Sequence, residues 1–327
     1  MAYTDWLRLL SFGGPEGPDD VIPFLENVTR GRNVPRERLE EVARQYERFG
    51  GVSPINEQNR ALIAALRAEF DRRDIDVPIH WGNRNWAPYV EDAMATLADD
   101  GHRRVLALAT SAYSSYSACR QYLEDIARAR DAVGERAPIV DKVRPYWDHP
   151  GFVDAVTDRV RTAVDDAPDD AHLAFTAHSI PLSMASTSDY ESQLRAVAST
   201  VADRVAPGRP WDLVFQSRSG PPQVPWLEPD IVDHLHALDG DGVTAVVVAP
   251  IGFVSDHMEV LFDLDTQAAE AATDLGMTMV RAGTVGTHPT FVAGLVDLVE
   301  HPLAGDVPAC RPECCPRPER PVRPTRP

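Results

Sequence analysis

The chain has 327 residues, 43% of them apolar and 25% charged, with a formal net charge of −18. That length exceeds one ordinary core and suits two α/β lobes of about 150 residues each. The acidic balance argues against nucleic acid as a partner, because phosphates would be repelled.

Strand and helix signals alternate along the chain. A short apolar strand at Leu7–Ser11 ends at Gly13-Gly14-Pro15, and helical patterns follow at Pro18–Val28, Arg36–Arg48 and Pro54–Arg72. Val77–Trp81 reads as the second strand, Trp86–Asp99 as a helix and Arg104–Ala109 as the third strand. Ser115–Val133 is helical and Pro138–Val143 is a fourth, short strand. The order then repeats with helix Gly151–Asp165, strand Ala171–Ala177, helix Glu191–Ala206 and strand Trp211–Gln216. Helix Pro229–Leu238, strand Val243–Ala249, helix Asp256–Leu275, strand Met277–Arg281 and helix Pro289–Glu300 complete it. Two runs of four strands with helices between them imply two parallel-sheet lobes with right-handed crossovers. The break falls near Pro145–Pro150, giving segments 1–147, 148–302 and 303–327.

No apolar run approaches the ~20 residues of a membrane span, and the N-terminus has no basic region followed by an apolar one, so a cytoplasmic location is expected. The last twelve residues carry four Arg and one Glu, leaving about −21 on residues 1–315. Such a Pro/Arg tail cannot bury a core and is expected to be disordered. No G-x-G-x-x-G or Walker A sequence occurs, which speaks against a nucleotide ligand.

The stretch VVVAPIGFVSDHMEVLFDLD, Val246–Asp265, holds the most chemistry. A buried strand breaks at Pro250 and Gly252, and Glu259 and Asp263 follow four apart, on one face of the expected helix. Parallel sheets build sites where such strands end. An exposed acidic helix face would give the same pattern. His178, in AFTAHSIP, sits at the end of another buried strand. If it faces Glu259 across one pocket, imidazole and carboxylate suit proton abstraction or transient metal binding, short of a closed metal site.

A second group is polar with aromatics: Arg30-Gly31-Arg32, Tyr46 and Ser53 around GGVSP, the SAYSSY loop at Ser111–Tyr116, and QSRSGPPQVPW at Gln216–Trp226. Arginines, hydroxyls and Trp lining a cleft would suit a flat apolar ligand edged with carboxylates. Each residue taken singly also fits an ordinary solvated loop.

Cys119 stands alone, whereas Cys310, Cys314 and Cys315 cluster. In a cytosolic chain clustered thiols point to metal more than to disulfides. C-x3-C-C matches no common zinc spacing, whereas three clustered thiolates and one distant thiolate supply the four ligands of a [2Fe–2S] centre. A buried core thiol and an incidental Cys-rich tail remain the alternative.

LLSFGGPEGPDDVIPFLENVTRGR, YERFGGVSPIN, TAHSIP, FQSRSGPPQVPWLEP and APIGFVSDHMEVLFDLD, in this order, resemble the ferrochelatases over about Leu7–Val299. The resemblance implies two Rossmann-like lobes of the chelatase fold, porphyrin in the cleft and insertion of Fe2+ as substrate. It implies that His178 is the metal-site and proton-accepting residue, that Glu259 is its partner, and that Asp263 continues an acidic line for iron. Arg30, Tyr46, Ser53 and Ser114–Tyr116 fall where the family contacts the porphyrin. Phe12 is also placed at the substrate, where several relatives have a Tyr that can ligate iron, so His178 is the expected axial ligand. Some relatives carry an internal Cys and three near the C-terminus that bind [2Fe–2S], which matches Cys119, Cys310, Cys314 and Cys315. The likeness is greatest to the actinobacterial branch, which implies coproporphyrin III as substrate and a downstream heme-pathway enzyme as a partner. Protoporphyrin IX as the substrate, or a porphyrin carrier without turnover, is the alternative.

Overall fold

The computed structural model describes residues 7–220, 223–301 and 314–317. In the first half, β1 (Leu7–Ser11) leads through α1 (Pro18–Val28), α2 (Arg36–Glu47) and α3 (Ile55–Arg72) to β2 (Ile79–Asn83). Then come α4 (Val90–Asp99), β3 (Arg104–Ala109), a π-helical turn Tyr116–Arg120 that runs into α5 (Gln121–Val133), and β4 (Ile139–Lys142). The second half runs α6 (Pro150–Asp165), β5 (His172–His178), a short α7 (Leu182–Ala185), α8 (Tyr190–Val205), β6 (Trp211–Gln216), α9 (Ile231–Gly240) and β7 (Ala245–Ala249). It ends with α10 (Met258–Phe262), a π-helical segment Asp263–Ala268, α11 (Ala269–Asp274), β8 (Thr278–Arg281) and α12 (Pro289–Glu300).

Both sheets are four-stranded and wholly parallel, in the orders β2-β1-β3-β4 and β6-β5-β7-β8. The two orders are the same pattern used twice. In each, the chain reverses its direction of travel across the sheet beside the first strand of the lobe. Connections on either side of that strand diverge there and leave a crevice at the carboxyl ends. The strands that flank the second crevice, β5 and β7, are buried along nearly their whole length, as a sheet covered on both faces requires.

One apolar cluster runs through both halves, from Leu9, Leu66 and Phe70 to Phe152, Phe175, Phe291 and Val296. Helix α12 packs on both α6 and α3. Gly151 and Gly294 permit the first contact, because a Cβ on either would lie within 3 Å of the other's backbone. Arg73 at the end of α3 closes the second, with ion pairs to Asp297 and Glu300 of 2.6 and 2.7 Å. The sheets are therefore fixed relative to one another by shared helices as well as by the 143–150 connection. No helix among the described residues is long and apolar enough to cross a membrane.

The expected continuous helix Asp256–Leu275 is broken. The α-helix lasts only from Met258 to Phe262 before the π-helical segment takes over. π-Segments are rare and depend on what surrounds a helix, so sequence periodicity does not reveal them.

Candidate active site

His178 is the last residue of β5 and Glu259 the second residue of α10, which follows β7. They therefore flank the crevice of the second sheet. His178 Nε2 lies 3.7 Å from Glu259 Oε1, with 30% and 49% of the two side chains exposed, so the pair sits in a cleft open to small ligands. The other ring nitrogen, Nδ1, is tied to the Ser179 carbonyl oxygen. That contact makes Nδ1 an N–H donor, so Nε2, which faces Glu259, is the nitrogen that gains and loses the titrating proton. Tyr190 on α8 donates to the His178 carbonyl at 3.0 Å, fixing the strand end.

Burial alone would push the His178 imidazole down, but Glu259, Ser179 and then Asp263 outweigh it and hold its pKa above the ordinary value. For Glu259 burial works upward, and the two imidazoles, His178 and His257, reverse it and bring the carboxyl down to about 2. His257 is pushed the other way, downward, mainly by burial. It caps α10 by accepting from the Glu259 amide at 3.3 Å.

Asp263 does not join the pair directly. Its Oδ2 accepts from Ser217 Oγ and from Gln216 Nε2, the latter at 3.4 Å. Gln216 is fully buried, accepts from Thr176 at 2.9 Å, and also donates to the Glu259 carbonyl at 3.2 Å. One amide at the end of β6 thus orders both acidic positions. Ser217 reaches Asp263 from a left-handed backbone, φ 62°, which is uncommon for a residue with a Cβ. Burial, offset in part by Ser217, raises the Asp263 carboxyl to about 6. Glu259 and Asp263 have consequently been driven to opposite ends of the carboxyl range, as suits two acids with separate tasks.

The facing wall comes from the first half. Phe12, just past β1, is 40% exposed and packs edge-on against Phe24, which also meets Tyr46 and Trp86 at 6.1 and 6.2 Å between centroids. Burial, and next the Glu259 carboxylate, keep the Tyr46 hydroxyl protonated. Gln58 on α3 both donates to the Asp256 carbonyl and accepts from its amide, at 2.8 and 2.9 Å, which fastens the loop before α10 to the first half. Alongside runs an open groove of about 590 Å³ lined by Glu41, Arg44, Gln45, Glu47, Arg48 and Phe262. The Arg48 guanidinium lies over the Phe262 ring at 5.9 Å.

The other sequence-predicted residues scatter around this centre. Arg30 is exposed at the turn that ends α1. Ser53 is 95% buried, since it is 5% exposed, and a Cβ on Gly14 would lie 2.6 Å from its own Cβ. Its packing role is therefore plain. Ser114 makes a two-way contact with the Gln193 amide on α8, at 2.8 and 2.9 Å, latching one half to the other. The Tyr116 hydroxyl donates to Glu124 and accepts from Arg317, both at 3.1 Å.

Cys119 lies buried on the π-turn before α5. Arg120 beside it donates to the Cys314 carbonyl at 3.0 Å, and the buried Cys315 amide donates to Thr187 at 3.2 Å. Three of the four cysteines thus belong to neighbouring segments, none in a disulfide, while Cys310 lies outside the described residues. The donor set, all thiol, fits an iron–sulfur centre in kind.

Sequence reasoning did not single out Gln216 and Ser217 as the residues that hold Asp263, nor Gln58, Gln193, Arg44, Arg48 and Phe262. Arg44 and Arg48 are one helical turn apart, a signal that was available. The glutamines gave none.

A family model described as Ferrochelatase matches residues 7–303. The chain is 55% identical over 319 residues to the coproporphyrin III ferrochelatase of Streptomyces griseus, covering 91% of this chain and 85% of that one. It is 54% identical to the protein of that name from Mycolicibacterium smegmatis over 308 residues, with 92% and 90% covered. A ferrochelatase of Rhodopirellula baltica is 53% identical over 327 residues, with 95% and 93% covered. In structure the chain is similar to SirB from Bacillus subtilis with Fe3+, at a TM-score of 0.57 and 13% identity, covering 92% and 96% of the two chains. CbiX, described as the terminal enzyme of siroheme biosynthesis in denitrifying bacteria, gives 0.51 at 12% identity, with 89% and 96% covered. These likenesses to solved structures carry the chelatase fold.

Proposed function

The chain belongs to the ferrochelatase family, and from that premise we propose that it inserts Fe2+ into coproporphyrin III at the His178–Glu259 pair. The observation that carries the reading is the titrating Nε2 of His178 facing the Glu259 carboxylate at 3.7 Å where two neighbouring strands end. Iron insertion into a porphyrin is the activity of the family. The four-carboxylate substrate is supported by the names of relatives at 54–55% identity.

Metallation exchanges two pyrrole N–H protons for one Fe2+. A planar ring hides its nitrogen lone pairs, so a cleft that bends the ring exposes them, and burial against Phe12 and Tyr46 offsets the strain. Fe2+ needs the neutral imidazole, and its approach along Asp263 and Glu259 drives off any proton on His178. Once the iron has moved on to the ring nitrogens, the freed Nε2 of His178 takes the two pyrrole protons in turn. Asp263, titrating at about 6, passes protons outward. Mixed nitrogen and oxygen donors hold iron loosely enough to release it. Phe12 offers no oxygen, so His178, once it has given up its proton, would be the residue able to hold the iron of the product, and a downstream heme-pathway enzyme would receive it.

We also propose that Cys119, Cys310, Cys314 and Cys315 hold a [2Fe–2S] cluster. The fastening of the 314–317 segment beside Cys119 supports this. When bound, the cluster supplies a cross-link between the chain end and α5. Iron and acid-labile sulfide would be counted in wild type and Cys314→Ser; equal content in both would remove Cys314 from the set.

The deciding assay is anaerobic metallation of coproporphyrin III and protoporphyrin IX in parallel, followed by absorbance. Multiple turnovers on the first substrate alone are expected. A preference for the second would overturn the substrate, and stoichiometric uptake without turnover would make the protein a carrier.

A further inference from the structure

Strand β5 carries a histidine at each end. Successive side chains alternate faces, so His172, Ala174, Thr176 and His178 share one side of the sheet. Ala174 pairs with Asp212 and Thr176 with Val214, so Asp212, Val214 and Gln216 share that same side on β6. The carboxyl end of this face is the site described above. Its middle, Ala174 and Val214, is an apolar plug that packs on Ile231 and Leu235 of α9. Its amino end holds a second polar cluster about 20 Å from the first, at ~3.3 Å per residue over six residues.

There His172 Nε2 lies 2.9 Å and His234 Nε2 3.7 Å from the same oxygen, Asp212 Oδ2, and all three donor atoms fall within 4.8 Å of one another. Among the described residues no other group of three His, Cys, Asp or Glu side chains is as compact. Both imidazoles are about 90% buried, whereas Asp212 is half exposed and opens the cluster to solvent. The Nε2 of His234 is buried without a hydrogen-bond partner. A polar atom in that state costs free energy unless something occupies it.

We propose that His172, Asp212 and His234 form a second divalent metal site, for a zinc-class transition ion, at the amino edge of the second sheet. In tetrahedral coordination with bonds of about 2.0–2.2 Å, neighbouring donors stand roughly 3.3–3.6 Å apart. The 3.7 Å separation lies just beyond this range, and the 2.9 Å one need only open by about half an ångström as the metal replaces a hydrogen bond. Two imidazoles and one carboxylate select borderline ions such as Zn2+ or Co2+ over Mg2+ and Ca2+, which favour all-oxygen shells. Water completes the coordination on the exposed Asp212 side. An ion there ties α9 to β5 and β6 without touching the metallation cleft.

The test compares the chelator-treated full-length protein with His234→Leu and Asp212→Ala, each dialysed against Zn2+ alone and analysed for bound metal. Zinc taken up at His178, Glu259 or the cysteines is common to all three and cancels. The wild type should retain one equivalent more than either variant, and Zn2+ should raise its Tm by a margin the variants lose. Iron insertion in the absence of zinc should match the wild type in both variants, since neither altered residue reaches the cleft. Equal zinc content and equal Tm response would overturn the site and leave His172–Asp212 as a plain hydrogen bond beside a buried histidine. Should His234→Leu fail to fold, Asp212→Ala at the exposed position decides the matter by the same two readings.

Discussion

The two sheets repeat one strand order, yet their carboxyl edges carry different chemistry. Past β1 come Phe12 and two glycines, backed by Phe24, Tyr46 and Trp86. At or past the ends of β5, β6 and β7 come His178, Gln216, Ser217 and Glu259, with His178 facing the Glu259 carboxylate, Gln216 donating to the Glu259 carbonyl and Ser217 donating to Asp263. One edge offers surface to a flat ring and the other offers donors to an ion. A duplicated scaffold can divide labour in this way because the strands only place the residues, and the residues that follow them decide the chemistry.

The largest expected effect breaks the polar edge. His178→Ala should lower metallation by about 10³-fold, within the range for loss of a proton acceptor, with porphyrin binding, read by fluorescence quenching, changed little. Retained turnover would move the chemistry elsewhere. Glu259→Gln should cost nearly as much and should also alter His178. With the carboxylate gone, burial dominates, so the imidazole pKa should drop from above its ordinary value to below it in an NMR titration. In the wild type the raised pKa predicts a loss of kcat/KM as pH falls through a midpoint above about 6.5, because the protonated ring neither binds iron nor accepts a proton. A midpoint at about 6 would point to the Asp263 carboxyl instead.

Breaking the aromatic edge should act on binding. Phe12→Ala should weaken porphyrin affinity about tenfold, roughly 1.4 kcal/mol, with kcat affected less. Arg48→Ala should weaken coproporphyrin III about two- to fivefold, with an effect that fades at high salt, as expected of exposed charge pairs. The smallest effect sharpens the comparison. Ser217→Ala removes a hydrogen bond that favours ionised Asp263, so that carboxyl should titrate above its present value of about 6, read by infrared or NMR titration, with turnover reduced only a few-fold.

His178 and Glu259 were legible before any fold was known, because each ends or follows a buried strand and parallel sheets use those positions repeatedly. Phe12 and Tyr46 were placed at the substrate by family resemblance, and in the structure each packs edge-on against Phe24. For Ser53 the motif gave no sign of its burial against Gly14. Ser114 and Tyr116 lie in the expected loop, and their hydroxyls are engaged with Gln193, Glu124 and Arg317.

The amino-acid sequence by itself determined the alternation of strands and helices, the two parallel sheets and the acid–imidazole pair. These follow from hydrophobic period and from where strands stop, which are local properties of the chain. Only the tertiary structure decided that α10 gives way to a π-helical segment at Asp263, that Gln216 orders both carboxylates, that Gln58 ties the two halves across 198 residues, and that His172, Asp212 and His234 converge. Those contacts join groups far apart in the chain. Their geometry is fixed by packing, which a period of 2 or 3.6 residues does not encode.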